Sequence, residues 1–251
     1  MIDENRTGKD TTGVRVNRYL SEAGVCSRRQ ADALIAAGKV TIDGEIAVQG
    51  QRVSAGQLVC LNGKPVQKQP ERVLIALNKP RGIVCTTDQI REKNNIIDFM
   101  HYPVRIYPVG RLDKDSEGLI LLTNDGSLVN HILKSSMYHE KEYVVRVEKP
   151  VNAAFLKGMA GGVPLEEGVT RPCKVRKTGE KEFTIILTQG WNRQIRRMCR
   201  HFGYHVRTLK RVRIMNIVLG DLKTGAWRYV TQEELDVLYT SFEKTEHSRR
   251  K

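Results

Sequence analysis

The segment from Gly110 to Leu119 contains the densest group of side chains that could perform chemistry. An apolar run follows it directly, and its charged residues are Arg111, Asp113, Lys114, Asp115 and Glu117. Carboxylates next to cations suit three kinds of site: a calcium loop, a magnesium-dependent nuclease centre, or a single catalytic carboxylate held between positive charges.

The calcium interpretation is disfavoured by the residues that follow. Counted from Asp113, acids occupy positions 1, 3 and 5 and Gly118 occupies position 6, as at the start of an EF-hand loop. Position 12 is Asn124, where an EF-hand has a glutamate, and the apolar run after Gly118 indicates a strand instead of an exiting helix. The nuclease centre and the lone carboxylate, Asp113, stay open on these local grounds.

A second group of candidate residues lies between Trp191 and Phe202. Its apolar residues recur every three or four positions, as on the buried side of a helix: Ile195, Met198, Cys199 and Phe202. The remaining surface carries four arginines, Arg193, Arg196, Arg197 and Arg200. No acid occurs between Glu182 and Asp221, whereas a face charged only for solubility would mix both signs. The stretch therefore predicts contact with nucleic acid.

The composition of the whole chain also favours a polyanionic partner. The 251 residues include 42 Lys and Arg against 28 Asp and Glu, a net charge of +14, and the sequence pI is near 9.7. Apolar residues make up 40% and are spread along the chain, which argues against disorder, and no stretch approaches the roughly 20 apolar residues of a membrane span.

The five cysteines form no Cys-x-x-Cys pair and have no histidine at metal-ligand spacing. We expect reduced, mostly buried thiols, with neither disulfides nor structural zinc. The first twelve residues are polar and lack the apolar core of a signal peptide. These features predict a cytoplasmic protein that contains no metal.

The elements that position these residues fall into two groups, beginning with a pair of short helices. Asn17 is predicted to cap the first helix, and Ser27 with Gln30 forms a capping box for the second. Short strands and hairpin turns at Asp43-Gly44 and Asn62-Gly63 follow. The helix pair is rich in exposed cations, among them Arg15, Arg18, Arg28 and Arg29.

The second group is strand-rich and predicts an α+β domain on a mixed, mainly antiparallel sheet. The predicted strands are Val73–Leu77, Ile83–Thr86, Leu119–Thr123, Tyr143–Val147, Phe183–Leu187 and Trp227–Val230. Helices are expected after Gly126, from Trp191 to Phe202, and from a capping box at Thr231. The expected organisation is a disordered tail at 1–13, an RNA-binding domain at 14–66, a linker at 67–72, a catalytic domain at 73–242 and a basic tail at 243–251.

Two resemblances cover nearly the whole chain. Ser27 to Ala31, Gly38 to Val40 and Asp43-Gly44 resemble the S4 RNA-binding module. Gly110 to Asp113 with Thr123 to Gly126 resembles the signature motif of pseudouridine synthases. Three further family motifs agree in order and spacing, at Leu77–Gly82, Lys141–Tyr143 and Gln189–Met198. The resemblance is to the RsuA-type group, which joins an S4 module to this catalytic domain, and within it to the RluF branch.

The resemblance implies specific roles. Asp113 is the expected catalytic carboxylate, and Arg196 is its expected ion-pair partner. The sequence pattern alone would place Tyr143 in the core, but the resemblance implies that Tyr143 is the platform for the flipped base. Ile195 is expected to close the same pocket. Further substrate-binding residues are Lys79, Arg111, Arg193 and Arg197, with Arg15, Arg18, Arg28 and Arg29 docking RNA from the S4 module.

The implied reaction converts a uridine to pseudouridine with no net redox change, so no cofactor is expected. The expected partner of the monomeric protein is structured RNA, namely large-subunit ribosomal RNA and as a second substrate a transfer RNA anticodon loop. A non-catalytic ribosome-assembly factor on the same scaffold is the competing hypothesis, because it would also bind RNA.

Overall fold

The structure is a computed structural model that describes residues 13–67, 71–88, 90–133 and 138–247. The chain divides into two compact units, Met1–Arg72 and Val73–Lys251. Most of the expected N-terminal tail and the last four residues of the expected C-terminal tail lie outside the described residues.

The first unit packs two helices on short strands. Its elements are β1 (Val14–Arg15), α1 (Val16–Glu22), α2 (Arg28–Ala36), β2 (Val40–Ile42), β3 (Glu45–Ile46), β4 (Arg52–Val53), β5 (Val59–Leu61) and β6 (Lys64–Pro65). Four strands form a sheet in the order β3-β2-β5-β6, and β1 pairs with β4. The core between helices and strands includes Leu20, Ala31, Ile35 and Val40, each at most 3% exposed.

The helix caps of this unit agree with the sequence in one case and not in the other. Ser27 Oγ accepts a hydrogen bond from Gln30 N at 3.2 Å and Gln30 Oε1 accepts one from Ser27 N at 2.9 Å, so the predicted capping box is confirmed. The cap predicted at Asn17 is wrong, since α1 begins at Val16. Instead Asn17 Nδ2 donates to Asp32 Oδ1 at 2.8 Å and ties the two helices together.

The described part of the second unit contains five helices and eleven strands. Its helices are α3 (Ile96–Met100), α4 (Gly126–Leu133), α5 (Ala153–Gly161), α6 (Gln194–His201) and α7 (Gln232–His247). Its strands are β7 (Leu74–Lys79), β8 (Tyr107–Val109), β9 (Glu117–Thr123), β10 (Lys141–Val147), β11 (Pro164–Leu165), β12 (Gly168–Val169), β13 (Lys174–Gly179), β14 (Glu182–Leu187), β15 (Val206–Ile214), β16 (Ile217–Val218) and β17 (Trp227–Tyr229).

The last helix runs to His247, so the basic tail that was expected from residue 243 is helical over its first five residues.

The main sheet of the second unit brings the catalytic motifs together. Its strand order is β13-β14-β10-β15-β9-β7-β17, with β8 paired to β9 and β16 paired to β15. All of these pairs are antiparallel except β9 with β15, so the predicted mixed, mainly antiparallel sheet is confirmed. The parallel pair sits in the middle of the sheet, where Lys210 is opposite Glu117 and Arg211 is opposite Gly118. The loop that carries Asp113 enters the sheet at this point.

Two apolar layers hold α5 and α6 on one part of the sheet and α4 and α7 on another. The first includes Phe155, Phe183 and Met198, and the second includes Leu121 and Leu238, all at most 2% exposed. Because α6 packs through its apolar stripe, its arginines lie on the side away from this core. Among the described residues, no helix is long and apolar enough to cross a membrane.

Candidate active site

A cavity of about 260 Å³ lies where the loop before β9, the strands β10 and β15, and the start of α6 meet. Its volume is close to the lower end of the range of about 300–1,000 Å³ that is typical of small-ligand sites. The polar and apolar residues on its wall include Asp113, Lys141, Tyr143, Arg193, Ile195 and Arg211. Apart from Arg211, these residues come from three sequence motifs that are far apart along the chain, and the sheet brings them to one place.

Asp113 sits in a tight turn between two glycines that adopt positive φ. Ser116 N donates to Asp113 O at 3.0 Å and closes the turn, and Gly82 N donates to Lys114 O at 2.7 Å and fixes its outer side. The side chain of Asp113 is 30% exposed, so its carboxylate is accessible from the cavity. A more open cleft of about 640 Å³ adjoins the cavity, and Asp113 also lines that cleft.

The turn is narrow where it joins the sheet. Gly118 has a φ of +102°, and a Cβ atom at this position would lie 2.3 Å from the carbonyl oxygen of Arg211. Only glycine combines this backbone conformation with so close an approach of β9 to β15. The position of Asp113 therefore depends on Gly118.

The cation within ion-pair distance of Asp113 is Arg193, with its Nη1 atom 3.8 Å from Asp113 Oδ2. Arg196 was expected to be this partner, and that assignment is corrected here. Its Nη2 atom lies 3.5 Å from Asp115 Oδ2 and donates to Asp115 O at 3.1 Å and to Ser116 Oγ at 3.2 Å. The physical reason is the distance that the Arg196 side chain can span. Asp115 lies two residues beyond Asp113 in the turn and faces α6, so it is the carboxylate that Arg196 contacts.

Asp115 is held by both arginines. Arg193 donates to its two carboxylate oxygens at 3.1 and 3.2 Å. Burial raises the pKa of Asp115, but the hydrogen bonds from Arg193 and the charge of Arg196 outweigh burial, so its pKa is lowered below the ordinary value. Asp115 consequently stays charged and ties the start of α6 to the turn that carries Asp113.

Lys79 was assigned to substrate binding from the sequence, and the structure corrects this assignment. Its side chain is 0% exposed, and Nζ donates to the carbonyl oxygens of Pro80 and Ile83, both at 2.9 Å. Burial is the main cause that lowers the pKa of Lys79. The ammonium therefore fixes the turn after β7 and does not face the cavity.

Tyr143 and Ile195 reach the cavity from different elements. Tyr143 lies on β10 and is partly buried between two apolar clusters, and Ile195 lies in the first turn of α6 and is 4% exposed. Both line the cavity with Asp113. The structure thus brings together the three residues that the sequence assigned to the carboxylate, the base platform and the apolar wall.

The other predicted substrate-binding residues are distributed differently. Arg111 lines both the cavity and the adjoining cleft. Arg197 is outside the cavity and forms a bidentate pair with Glu167 at 2.7 and 2.6 Å. In the first unit Arg15, Arg28 and Arg29 are exposed, and Arg18 pairs with Glu22 at 2.6 Å.

Sequence reasoning missed several residues of the cavity wall, among them Lys141, Gln189 and Arg211. Arg211 belongs to the acid-free stretch between Glu182 and Asp221 whose charge predicted RNA contact, yet it is 3% exposed and its Nε atom donates to Leu119 O at 2.6 Å. Lys141 could have been found, because residues two apart on a strand share a face and Tyr143 was already assigned. No sequence signal distinguishes Arg211 from the half-buried cations beside it, Lys210 and Arg213.

The sequence profile of the RNA pseudouridylate synthases matches residues 73–201, about half of the chain, and the S4 domain profile matches residues 14–59. The chain belongs to the RNA pseudouridylate synthase family. This pseudouridine synthase is 50% identical over 236 residues to the "Dual-specificity RNA pseudouridine synthase RluF" of Escherichia coli (strain K12), which covers 93% of this chain and 81% of the relative.

Two other similarities place the enzyme within the family. It is 36% identical over 229 residues to the "Ribosomal large subunit pseudouridine synthase B" of Bacillus subtilis (strain 168), covering 88% of this chain and 93% of that one. A solved structure described as a "Crystal structure of pseudouridylate synthase" matches with a TM-score of 0.66 and 30% identity, over 90% of this chain and all (100%) of that one. Because that match covers 90% of this chain, it includes residues of both units.

Proposed function

We propose that this pseudouridine synthase isomerises a uridine of large-subunit ribosomal RNA and, as a second substrate, a uridine in a transfer RNA anticodon loop. The printed names of two relatives, a dual-specificity enzyme and a large-subunit enzyme, support this choice of RNA. The observation that carries the proposal is the cavity in which Asp113 faces a wall formed by Tyr143 and Ile195.

In the proposed reaction Asp113 is the catalytic carboxylate. The C1′–N1 bond of the uridine breaks, the base turns within the cavity, and a C5–C1′ bond forms. C5 then loses its proton and N1 gains one, so the atoms of substrate and product are the same. Asp113 assists by attacking the ribose or the base, or by removing a proton. Electrons balance without an oxidant or a reductant.

Arg193 is proposed to offset the charge of Asp113 once the nucleotide covers it. A carboxylate that loses its water needs an opposite charge nearby, and the Nη1 atom of Arg193 is 3.8 Å away. Arg196 is proposed to act as a positioning residue, because it donates to Asp115 O and to Ser116 Oγ, on two consecutive residues of the turn.

Tyr143 is proposed as the platform on which the flipped base lies, with Ile195 on the other side. The target uridine has to leave its stack, because a base inside a helix cannot turn about its own glycosidic position. Aromatic stacking is sequence-tolerant and contributes roughly 1–3 kcal/mol per base, which offsets part of the cost of unstacking. The adjoining cleft, lined by Arg111 and Lys114, is suited to the phosphates of the flanking nucleotides.

The S4 module is proposed to span 14–66, followed by a linker at 67–72 and the catalytic domain at 73–242. The module is proposed to dock the RNA through Arg15, Arg18, Arg28 and Arg29. Arg28 and Arg29 are exposed on α2 and Arg15 is exposed on β1, where they can contact phosphates. The working form is proposed to be a monomer. A ribosomal RNA substrate also supports action in the cytoplasm.

The test is product mapping. The purified protein is incubated with transcripts of large-subunit ribosomal RNA and of transfer RNA, without metal or nucleotide, and pseudouridine is mapped by chemical modification. Pseudouridine at a discrete position of each transcript is expected. RNA that is bound but unchanged would favour the non-catalytic assembly factor, and cleaved RNA after addition of magnesium would favour a nuclease.

A further inference from the structure

Lys141 is a lysine in the cavity wall to which no role in the reaction has been assigned above. It is the first residue of β10, two positions before Tyr143, and both line the cavity with Asp113. Glu142 lies between them and does not line the cavity, as expected from the alternation of side chains along a strand. Lys141 and the proposed base platform therefore share one face.

The acids on either side of Lys141 are engaged elsewhere. Glu140 Oε2 accepts from Arg213 Nη2 at 3.0 Å, and Glu142 Oε2 accepts from Arg213 Nε at 2.9 Å. These pairs lie on the opposite face of β10 from the cavity. Within the part of the chain that the structure describes, Lys141 Nζ forms one hydrogen bond, a long one to His139 O at 3.3 Å. An ammonium has three donors, so two of them are available to a ligand.

The surroundings of Lys141 on the inner wall are apolar. The register partners of Lys141 on the two neighbouring strands are Leu187 and Ile214, and both line the cavity together with Ile132, Leu133 and Leu209. An apolar wall favours binding of the flat base over binding of the charged phosphates. Cations that can bind the phosphates line the more open cleft. The acceptors of a uracil ring are its two carbonyl oxygens, O2 and O4.

We propose that Lys141 is a catalytic residue that donates a hydrogen bond to a carbonyl oxygen of the flipped uracil and stabilises the base as it leaves C1′. This proposal rests on the proposed function. When the C1′–N1 bond breaks heterolytically, its electron pair goes to N1 and is delocalised onto O2 and O4. A cation next to either oxygen stabilises this anion more than it stabilises the neutral base, and such differential stabilisation raises the rate. The charge disappears again when C5 joins C1′.

The pKa of Lys141 supports this role and predicts a pH dependence of the rate by which the role can be tested. Burial is the largest cause that lowers its pKa, and the charge of Arg211 adds to it, which brings the pKa to about 8. The charged or titratable groups around the cavity are Arg111 and Asp113 in the turn, His139 before β10, Tyr143 on β10, Arg193 beside α6 and Arg211 on β15. Because the lysine is a base, it is charged below its pKa and neutral above it. The rate of the chemical step should therefore fall as the pH rises through about 8.

The experiment compares the wild type with Lys141→Met and Lys141→Arg under single-turnover conditions on a large-subunit ribosomal RNA transcript. Lys141→Met should lower the maximal rate about 100-fold, as expected for loss of one donor to a developing oxyanion, with little change in the RNA concentration at half-maximal rate. Lys141→Arg keeps a cation and should recover most of the rate. Its rate should also lose the fall near pH 8, because a guanidinium does not titrate there. Titration of the RNA itself affects both proteins alike.

Lys177→Met is the matched control, since Lys177 is exposed on β13 and does not line the cavity. It should behave as the wild type does. An unchanged maximal rate in Lys141→Met, or a fall near pH 8 that persists in Lys141→Arg, overturns the role of Lys141. If thermal unfolding shows that Lys141→Met does not fold, the pH profile of Lys141→Arg decides alone. Wild-type protein that forms no pseudouridine would remove the proposed function itself, whereas wild-type product with an unimpaired Lys141→Met removes only this inference.

Discussion

At the residue scale, the site depends on which contacts form among four charged side chains near the turn: Asp113, Asp115, Arg193 and Arg196. Arg193 contacts Asp113 and Asp115, whereas Arg196 contacts Asp115 and Ser116. Burial lowers the pKa of Arg196, and the charge of Asp115 opposes that effect more than the charge of Asp113 does. Arg193 is therefore the side chain best placed to offset the charge of Asp113, and Arg196 holds the backbone of the turn.

A substitution of Arg193 tests this division. Arg193→Met should lower the maximal rate of pseudouridine formation about 10- to 100-fold. The substitution removes the positive charge 3.8 Å from Asp113 Oδ2 and the two hydrogen bonds to Asp115, and hydrogen bonds to charged groups contribute roughly 1.5–3 kcal/mol. The rate is measured at saturating RNA, so that a change in affinity does not contribute.

The control for Arg193→Met is Arg146→Met. Arg146 also forms an arginine–carboxylate pair, with Glu182 at 2.6 Å, but its side chain is 68% exposed and outside the cavity. The Arg146→Met substitution should leave the rate of pseudouridine formation unchanged. Equal rates in the two variants would contradict the role given to Arg193.

At the scale of elements, the sequence predicted the helices and strands whose apolar residues recur regularly. It missed strands in which charged residues interrupt that pattern. The apolar runs of β7, β9 and β14 and the box that caps α2 were recognised to within a few residues. The nine-residue strand β15 was missed, because four of its nine residues are cations and these were attributed to an RNA-binding surface. Inside the sheet Arg211 satisfies Leu119 O, a contact that depends on tertiary packing and has no local signal.

Two other elements differ for local reasons. The strand predicted at Ile83–Thr86 is reduced to a single bridge between Val84 and Asn95. Helix α6 begins at Gln194 and not at Trp191, because Arg193 adopts the left-handed conformation with φ +48°. That conformation turns the side chain of Arg193 towards Asp115. The same local departure from helical geometry that sequence reasoning missed thus positions a residue of the site.

The parallel contact of β9 with β15 gives a prediction at this scale. Gly118→Ala should lower the free energy of unfolding by more than the roughly 1–3 kcal/mol of backbone strain, because the new Cβ atom also meets Arg211 O. Chemical denaturation followed by circular dichroism measures the change.

The comparison for Gly118→Ala is Gly220→Ala. Gly220 also has a positive φ, +54°, but no atom lies within 4 Å of an added Cβ atom. Its loss of stability should be the smaller of the two. A Gly118→Ala protein as stable as Gly220→Ala would show that the close approach of the strands does not constrain the turn.

At the scale of the whole molecule, the net charge of +14 is used in different ways in different places. Some cations hold the fold, as Arg213 does between Glu140 and Glu142. Others, such as Arg28 and Arg29, are exposed on the first unit. The sequence predicted the sign of the partner's charge and the two families of domain, but it could not separate structural from RNA-facing arginines.

The exposed arginines of the first unit should affect affinity and not chemistry. Replacing both Arg28 and Arg29 by Gln should weaken RNA binding and reduce the slope of log affinity against log salt by about 1–2, since fewer counterions are released. The maximal rate at saturating RNA should not change. Lys64→Gln, on β6 of the same unit, is the control for a general loss of charge. A fall in the maximal rate of the double variant would contradict a docking role.

The central claim is that Asp113 performs the chemistry, and single-turnover formation of pseudouridine by Asp113→Asn tests it most directly. The rate should fall at least about a thousandfold while RNA binding persists, because an amide cannot replace a carboxylate that attacks the substrate or takes a proton. Asp115→Asn, which weakens the contacts of Arg193 and Arg196 with the turn, should be slower than the wild type but still form product. Product formation by Asp113→Asn at the wild-type rate would contradict the account.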